Sequence, residues 1–279
     1  MNVTCVVDDA VQRSSPFWGE HGLAFLIETD AGRVLFDTGQ SGAVLLHNLE
    51  LLDVDPATID ALAISHAHYD HVGGLTALLE HLRPGIPLYA NPDLFRERFS
   101  QREEKVKKIG LSLTREELAA HLTLKLSATP QEIIPGVWTT GEIAERPEPE
   151  GSSAYHLVRE GDVFVADSYR DDMALVLKID GRQVLLCGCC HAGLLNTLAH
   201  VQRAFELPVA AIAGGLHLTS ATADHLQRVG DVLVEMESVQ HIYPNHCTGE
   251  TAFITLTLTL GPSVVHPCPA GTGVEFPVW

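Results

Sequence analysis

The stretch Ser65-His66-Ala67-His68-Tyr69-Asp70-His71 decides how this chain is read. It puts three imidazoles and a carboxylate into six positions, directly after the apolar run Ala61-Leu62-Ala63-Ile64 and just before Gly73-Gly74. In an extended segment His66 and His68 project to the same side and Asp70 continues the alternation, while His71 follows as the chain turns into the helical pattern of residues 75–82. The bland alternative is a solvated histidine-rich loop, but chance seldom puts this spacing between a buried strand and a Gly-Gly turn. Two pairs of ligands in one short loop suit two adjacent metal ions. Imidazole is the usual partner of zinc and iron, and an added carboxylate suits a hydrolytic site that keeps a position open for water.

Length and charge bound what such a site can serve. With 279 residues and 46% hydrophobic content the chain can bury a large core, and we read it as a single domain. A formal charge of -18 argues against an extended nucleic-acid surface, which needs clustered Lys and Arg. No apolar run approaches the ~20 residues of a membrane helix. The six cysteines, three of them crowded at Cys187, Cys189 and Cys190, are expected to be reduced in a chain too long to need disulfide staples. The opening residues lack a basic start and a long apolar run, so a cytoplasmic protein is expected.

The second half repeats the order of the first. Ala174 to Leu186 aligns without gaps on Ala24 to Phe36, each an apolar run, a polar turn and an apolar return. Both end in small residues, Asp37-Thr38-Gly39 and Cys187-Gly188-Cys189, and both lead to a helical pattern, residues 43–52 and 194–205. Each helix then leads to a short buried strand that ends at histidine, His66 in one half and His217 in the other. A last strand follows, residues 86–91 and 241–245. The halves span about residues 1–91 and 155–279. If they pack sheet against sheet, the loops after corresponding strands meet along one edge. That makes Asp37, residues 66–71, Cys189 to His191, His217 and His246 the candidate site.

Between the halves, residues 92–130 read as a helical insertion. Residues 96–108 carry six basic side chains against three glutamates. They read as a solvated helix laced by i,i+4 pairs, or as a lid whose Arg98, Arg102 and Lys105, with Lys107 and Lys108, hold a substrate phosphate or carboxylate. Residues 141–153 read as an exposed acidic, Pro-rich connector.

His66-x-His68-x-Asp70-His71 after a strand, preceded by Phe36-Asp37-Thr38-Gly39, resembles the metallo-beta-lactamase superfamily. Glu20-His21-Gly22-Leu23, Gly188-Cys189-Cys190-His191-Ala192-Gly193, Gly214-Gly215-Leu216-His217 and His246-Cys247-Thr248-Gly249 are similar to a subgroup that includes a synthase of methanopterin biosynthesis. The resemblance implies an α/β (α+β) fold, a four-layer αββα sandwich of two related halves with a metal site at their edge. It implies that His66, His68 and His191 hold one divalent ion and that Asp70, His71 and His246 hold the other. Zinc is the first expectation and manganese or iron the alternatives. It also implies that Asp37 accepts a ring N–H from a ligand histidine.

The sequence departs from the family at the position that usually bridges the metals, where Cys189 replaces an aspartate. Cys189 is either a thiolate ligand or a small buried residue, and without a bridging carboxylate one-metal occupancy stays open. Arg170-Asp171-Asp172 stands where a His-Thr-Pro-Gly-type loop is usual; it reads as a polar turn sooner than as support for the ligands. His217 is expected to reach the site and donate to a substrate oxyanion, and His21 to touch substrate, although each also reads as a core histidine. The expected activity is hydrolysis of a small anionic phosphoester or carboxyl-derived substrate, with Asp70 orienting the nucleophile or relaying its proton. The alternatives are a transferase or synthase acting on a phosphorylated substrate, and a non-catalytic metal or redox-responsive protein. A lactamase exported to the periplasm, a flavodiiron oxidoreductase and the RNA-processing members fit the chain less well, for want of an export signal, a flavin domain and a basic surface.

Overall fold

A computed structural model describes residues 1–277. Two antiparallel hairpins set the architecture. Ala24–Thr29 pairs with Gly32–Phe36, matching Phe25 with Phe36 and Ile27 with Val34. Ala174–Ile179 pairs with Arg182–Cys187, matching Leu175 with Leu186 and Leu177 with Val184. In each sheet the return strand then runs parallel to two more. Gly32–Phe36 is followed across the sheet by Ala61–Ala63 and Pro87–Ala90, and Arg182–Cys187 by Val209–Gly215 and His241–Asn245. Asn2–Val7, Gly273–Glu275 and Thr123–Leu126 extend the first sheet to seven strands, and Val137–Thr139 and Glu132–Ile134 extend the second to six.

The central strands are buried on both faces, which is why they read as almost continuous apolar runs. Phe25, Ile27, Val34 and Phe36 face Leu175, Leu177, Val184 and Leu186, with Ala211 and Ala213, in the layer between the sheets. The outer face of the first sheet, with Leu26, Leu35 and Leu62, is covered by Gly42–Leu51 through Leu45 and Leu49 and by Leu75–Leu78. On the second sheet Leu194–Phe205 presents Leu194, Leu198, Val201 and Phe205. Ala223–Glu235 adds Leu226, Val229 and Leu233, and Glu250–Leu260 adds Leu256. Helix, sheet, sheet, helix is thus the layer order.

The insertion is not the helix that its charge pattern invited. Arg98–Arg102 and Lys105–Lys108 form a hairpin, which pairs with His156–Glu160 and through it with Val163–Ala166 in a separate four-stranded sheet. Ladder partners that lie more than fifty residues downstream decide the outcome, and Phe99 packs edge-on to Phe164 at 5.0 Å across this sheet. The insertion's α-helix is Arg115–His121, started by a capping box between Thr114 and Glu117.

Leu186 is fully buried between the sheets, whereas Leu258 is 82% exposed on its helix. Leu186→Ala is expected to cost about 2–5 kcal/mol of stability, and Leu258→Ala less than about 0.5 kcal/mol. Equilibrium urea unfolding followed by circular dichroism measures both.

Candidate metal centre

Every parallel strand of both sheets delivers a polar residue at its carboxyl end, and those ends converge on one edge. Asp37 follows Gly32–Phe36, His66 to His71 follow Ala61–Ala63, and Cys189 to His191 follow Arg182–Cys187. His217 follows Val209–Gly215 and His246 follows His241–Asn245. The sheets touch at Gly188, where a Cβ would come within 2.2 Å of Ser65 Oγ and 3.0 Å of Asp37 Oδ2. No larger residue fits that contact.

Asp37 organises the first half of the site. It is fully buried in the left-handed region, at φ 60°. Its Oδ1 accepts the Ser65 N–H at 2.7 Å, and its Oδ2 accepts the Ser65 hydroxyl and His71 Nδ1–H, both at 2.7 Å. With its own proton committed to Asp37, Ser65 Oγ accepts from His66 Nδ1 at 2.9 Å. Both rings are therefore held with Nδ1 protonated and Nε2 free to face inward. His191 and His246 are held in the same sense. His191 Nδ1 donates to the Gly151 carbonyl at 2.7 Å, and His246 Nδ1 meets Asp9 Oδ1 at 2.9 Å. The Nε2 atoms of His68 and His191 are buried with no hydrogen-bond partner. Inward nitrogens left without a protein partner are what a cation would satisfy, so this donor set fits divalent metal.

The donors gather around one sulfur. Cys189 Sγ groups with His66 and His191 on one side and with His71 and His246 on the other, the donor atoms of each group lying within 4.8 Å of one another. It is 3.2 Å from His71 Nε2. Cys189 thus occupies the shared position. His66 Nε2 lies 3.0 Å from His68 Nδ1. Asp70 does not continue an extended alternation: it sits with His71 on the helical turn Tyr69–Val72. From there its Oδ2 is 3.5 Å from His246 Nε2 and 3.7 Å from His71 Nε2.

Burial holds His66, His68 and His191 well below the ordinary imidazole pKa, so their rings are neutral. Burial also works against ionised Asp70, but the His246 hydrogen bond and the neighbouring His71 and His68 hold its carboxyl well below the usual carboxylate range. His246 is pushed up: burial opposes its charge, but Cys247, Asp70 and Asp9 outweigh that. A cation binding at His246 must displace a proton there.

Three placements differ from the sequence reading. Arg98 is not on a substrate-facing lid. It is fully buried, with Nη2 2.6 Å from Asp171 Oδ1 and 3.2 Å from Asp93 Oδ2, and Nε 3.1 Å from Asp167 Oδ2. Asp171 and Asp172 are not a surface turn. Asp171 accepts the Ala67 N–H between His66 and His68, and Asp172 accepts the Ala192 N–H beside His191, each at 2.8 Å. Burial pushes Asp171 up to about 7 against the pull of Arg98, and Asp172 up to about 6. The 141–153 connector is not merely exposed, since Gly151 exchanges two backbone contacts with His191.

Arg102 and Lys105, with Lys107, line a cavity of about 660 Å³ that also exposes His68, Asp70, Cys189, His191, His217 and His246. His21 lies at its rim, 53% exposed, bridging Asp9 and Asp70 at 3.2 and 3.3 Å. Sequence reasoning passed over Asp9, His156, Tyr169 and Cys247. Tyr169 stacks on His191, with centroids 4.2 Å apart and planes 12° apart, and its hydroxyl meets His156 Nδ1 at 3.0 Å. Asp9 had a signal, because Asp8-Asp9 closes the first strand just as Asp37 closes the third.

Fold and site define an αββα protein of two sheets that share one strand-end centre whose donors fit a divalent metal. The chain belongs to the metallo-beta-lactamase superfamily, whose sequence profile matches residues 18–189. It is 30% identical over 263 residues to 7,8-dihydropterin-6-methyl-4-(beta-D-ribofuranosyl)-aminobenzene-5'-phosphate synthase of Methanocaldococcus jannaschii, covering 89% of this chain and 88% of that protein. Among solved structures it is similar to Tm1679, a metal-dependent hydrolase of the beta-lactamase superfamily. The TM-score is 0.83 at 27% identity, over 99% of this chain and 98% of the other. Zinc-bound PqqB from Methylobacterium extorquens, 11% identical with a TM-score of 0.61 over 99% of this chain and all of the other, shares the fold.

Asp37→Ala leaves His71 and Ser65 without their acceptor and is expected to weaken metal retention about 10–100-fold, read by competition with a chromogenic chelator. Arg98→Ala strands buried carboxylates and is expected to cost about 3–5 kcal/mol in urea unfolding.

Proposed function

We propose that this protein is a metal-dependent hydrolase of a small anionic substrate, a phosphoester or a carboxyl-derived compound. One observation carries the reading: two ligand groups that share Cys189 floor a cavity walled by the cations of the Arg98–Arg102 and Lys105–Lys108 hairpin. His66, His68 and His191 would hold one divalent ion, and Asp70, His71 and His246 the other, with Cys189 between them. Zinc suits this mixture of imidazole, carboxylate and thiolate best, while manganese and iron are the alternatives. When bound, such ions polarise the bond under attack and lower the pKa of a water from 15.7 to about 7.

The chain's own groups supply the rest. Asp70 is kept ionised at the cavity floor, where it orients the attacking water or relays its proton. Arg102, Lys105 and Lys107 hold the substrate anion at the opposite wall. Lys107 sits 4.8 Å over the Tyr69 ring, which steers its ammonium toward the mouth. His217 and His156, the latter held by Tyr169, both line the cavity and are the imidazole donors to the substrate. A local cationic hairpin on a chain of net charge -18 suits a small anion and not an extended nucleic acid. No helix among the described residues is long and apolar enough to cross a membrane. All six cysteines are free, in keeping with a reducing cytoplasmic compartment.

A second reading has its own support. The similar archaeal protein is a synthase whose name carries a 5'-phosphate, and the same cationic wall would hold the phosphate of a donor substrate while a second substrate replaces water. Metal-loaded protein assayed on a panel of phosphomonoesters, phosphodiesters, thioesters and lactones separates the two. Turnover in water alone, lost on chelation and restored by zinc or manganese, is the expected result. A strict requirement for a second organic substrate favours the synthase reading. Arg102→Ala is expected to raise KM about tenfold, the worth of one charge-assisted hydrogen bond, with kcat little changed.

A further inference from the structure

Neither ligand set uses Cys247, and neither does the reaction proposed above. Its sulfur is nonetheless placed with care. Cys247 Sγ lies 3.4 Å from Cys189 Sγ and 3.6 Å from the Cys189 carbonyl oxygen. The donor atoms of Cys189, His217 and Cys247 fall within 4.8 Å of one another, as those of the two groups described above do. We propose that Cys189, Cys247 and His217 form a third, thiolate-rich cation position on the cavity side of the centre, selective for a thiophilic ion of the zinc class.

The backbone around these three residues is shaped to make room for them. A Cβ on Gly215 would meet the Gly188 carbonyl oxygen at 2.4 Å and Cys247 Sγ at 2.7 Å, and one on Gly151 would meet the His217 ring at 2.8 Å. The loops are then locked together, since the Leu216 N–H donates to Thr248 Oγ1 at 3.2 Å. His217 and His246 both sit in the left-handed region, at φ 47° and 46°, a conformation that L side chains hold only when their surroundings impose it. His217 also keeps its Nδ1 buried with no partner.

Distance and chemistry agree with a cation. Two thiolates bound at about 2.3 Å to one tetrahedral ion lie about 3.8 Å apart. The observed sulfur separation needs only a small opening to reach that value. Two thiolates and one imidazole select zinc-class ions over magnesium or calcium, which prefer oxygen. Three protein ligands leave a fourth position, and because all three line the cavity, that position faces it. Cys189 belongs to all three groups, so occupancy of this position competes for the sulfur that otherwise serves the His66–His191 and His71–His246 groups. An ion here reaches the cavity without entering the floor of the site.

Cobalt(II), added alone to the metal-free full chain, is the probe, and sulfur-to-cobalt charge-transfer absorption is the readout. The wild type is expected to show the intensity of two thiolates. Cys247→Ser should lose about half of it, and His217→Ala should weaken cobalt affinity at least about tenfold. Mapped alkylation by iodoacetamide should find Cys247 protected in the cobalt-loaded wild type and open in the metal-free protein. Should Cys247→Ser not fold, Cys247→Ala removes the sulfur without adding a polar group and is expected to reduce the same band. A Cys247→Ser band equal to that of the wild type, or Cys247 alkylated equally with and without cobalt, overturns the proposal. The cation site and the hydrolase reading fail separately: loss of Cys247 protection in a protein that still hydrolyses its substrate removes only the former. A two-thiolate band in a protein that turns over nothing supports the former and removes only the latter.

Discussion

The site depends on one buried carboxylate. Asp37 buries its carboxyl group in the protein interior and meets the cost with three short donors, two from Ser65 and one from His71. Those bonds fix the start of the ligand loop to the end of the neighbouring strand and set the tautomers of two rings at once. The price of that arrangement is a left-handed backbone at Asp37 and a position opposite, Gly188, where no side chain fits. Tyr169, Cys190, His217 and His246, all at or beside the centre, share the left-handed conformation. Backbone strain is concentrated where ring nitrogens must be aimed.

Much of this was legible in residues 24–36, 61–71 and 174–186. Period-2 apolar patterning with small-residue turns gave the hairpins, and the strand ends gave the convergence, because a parallel sheet presents its loops on one edge whatever their sequence. The hairpin at 98–108 was not legible. Its alternating charged residues satisfy a helix face and a strand face equally well, and the deciding partner, His156–Glu160, lies far along the chain. Arg98 misled for a related reason. In sequence it is one cation among six, and only the fold brings Asp93, Asp167 and Asp171 around it. His156 and Tyr169 had no local signal at all, since His156 meets His68 only across the two halves and Tyr169 meets His191 only once the second half has folded.

Arg98 also joins two parts of the molecule that serve different ends. The hairpin that carries Arg102 and Lys105 to the cavity wall is pinned through Arg98 to Asp171, and Asp171 holds the backbone between His66 and His68. Cavity-lining cations and the converging imidazoles are thereby referenced to the same buried guanidinium. The acidic surface elsewhere keeps the chain soluble and leaves the hairpin as a local region of positive potential.

The division of the donor groups between the two sheets has a thermodynamic side. His66, His68, Asp70 and His71 come from the first sheet, and Cys189, His191 and His246 come from the second. Neither half alone offers a complete set, so an ion at the centre is a reversible cross-link between two layers otherwise held by apolar contact. By mass action such a link adds about 4.1 kcal/mol to folding when the free ion stands at a thousand times its dissociation constant. For a domain of ordinary marginal stability that is a large share of the total. The metal content of the surroundings would then set how long this protein stays folded as well as whether it turns over.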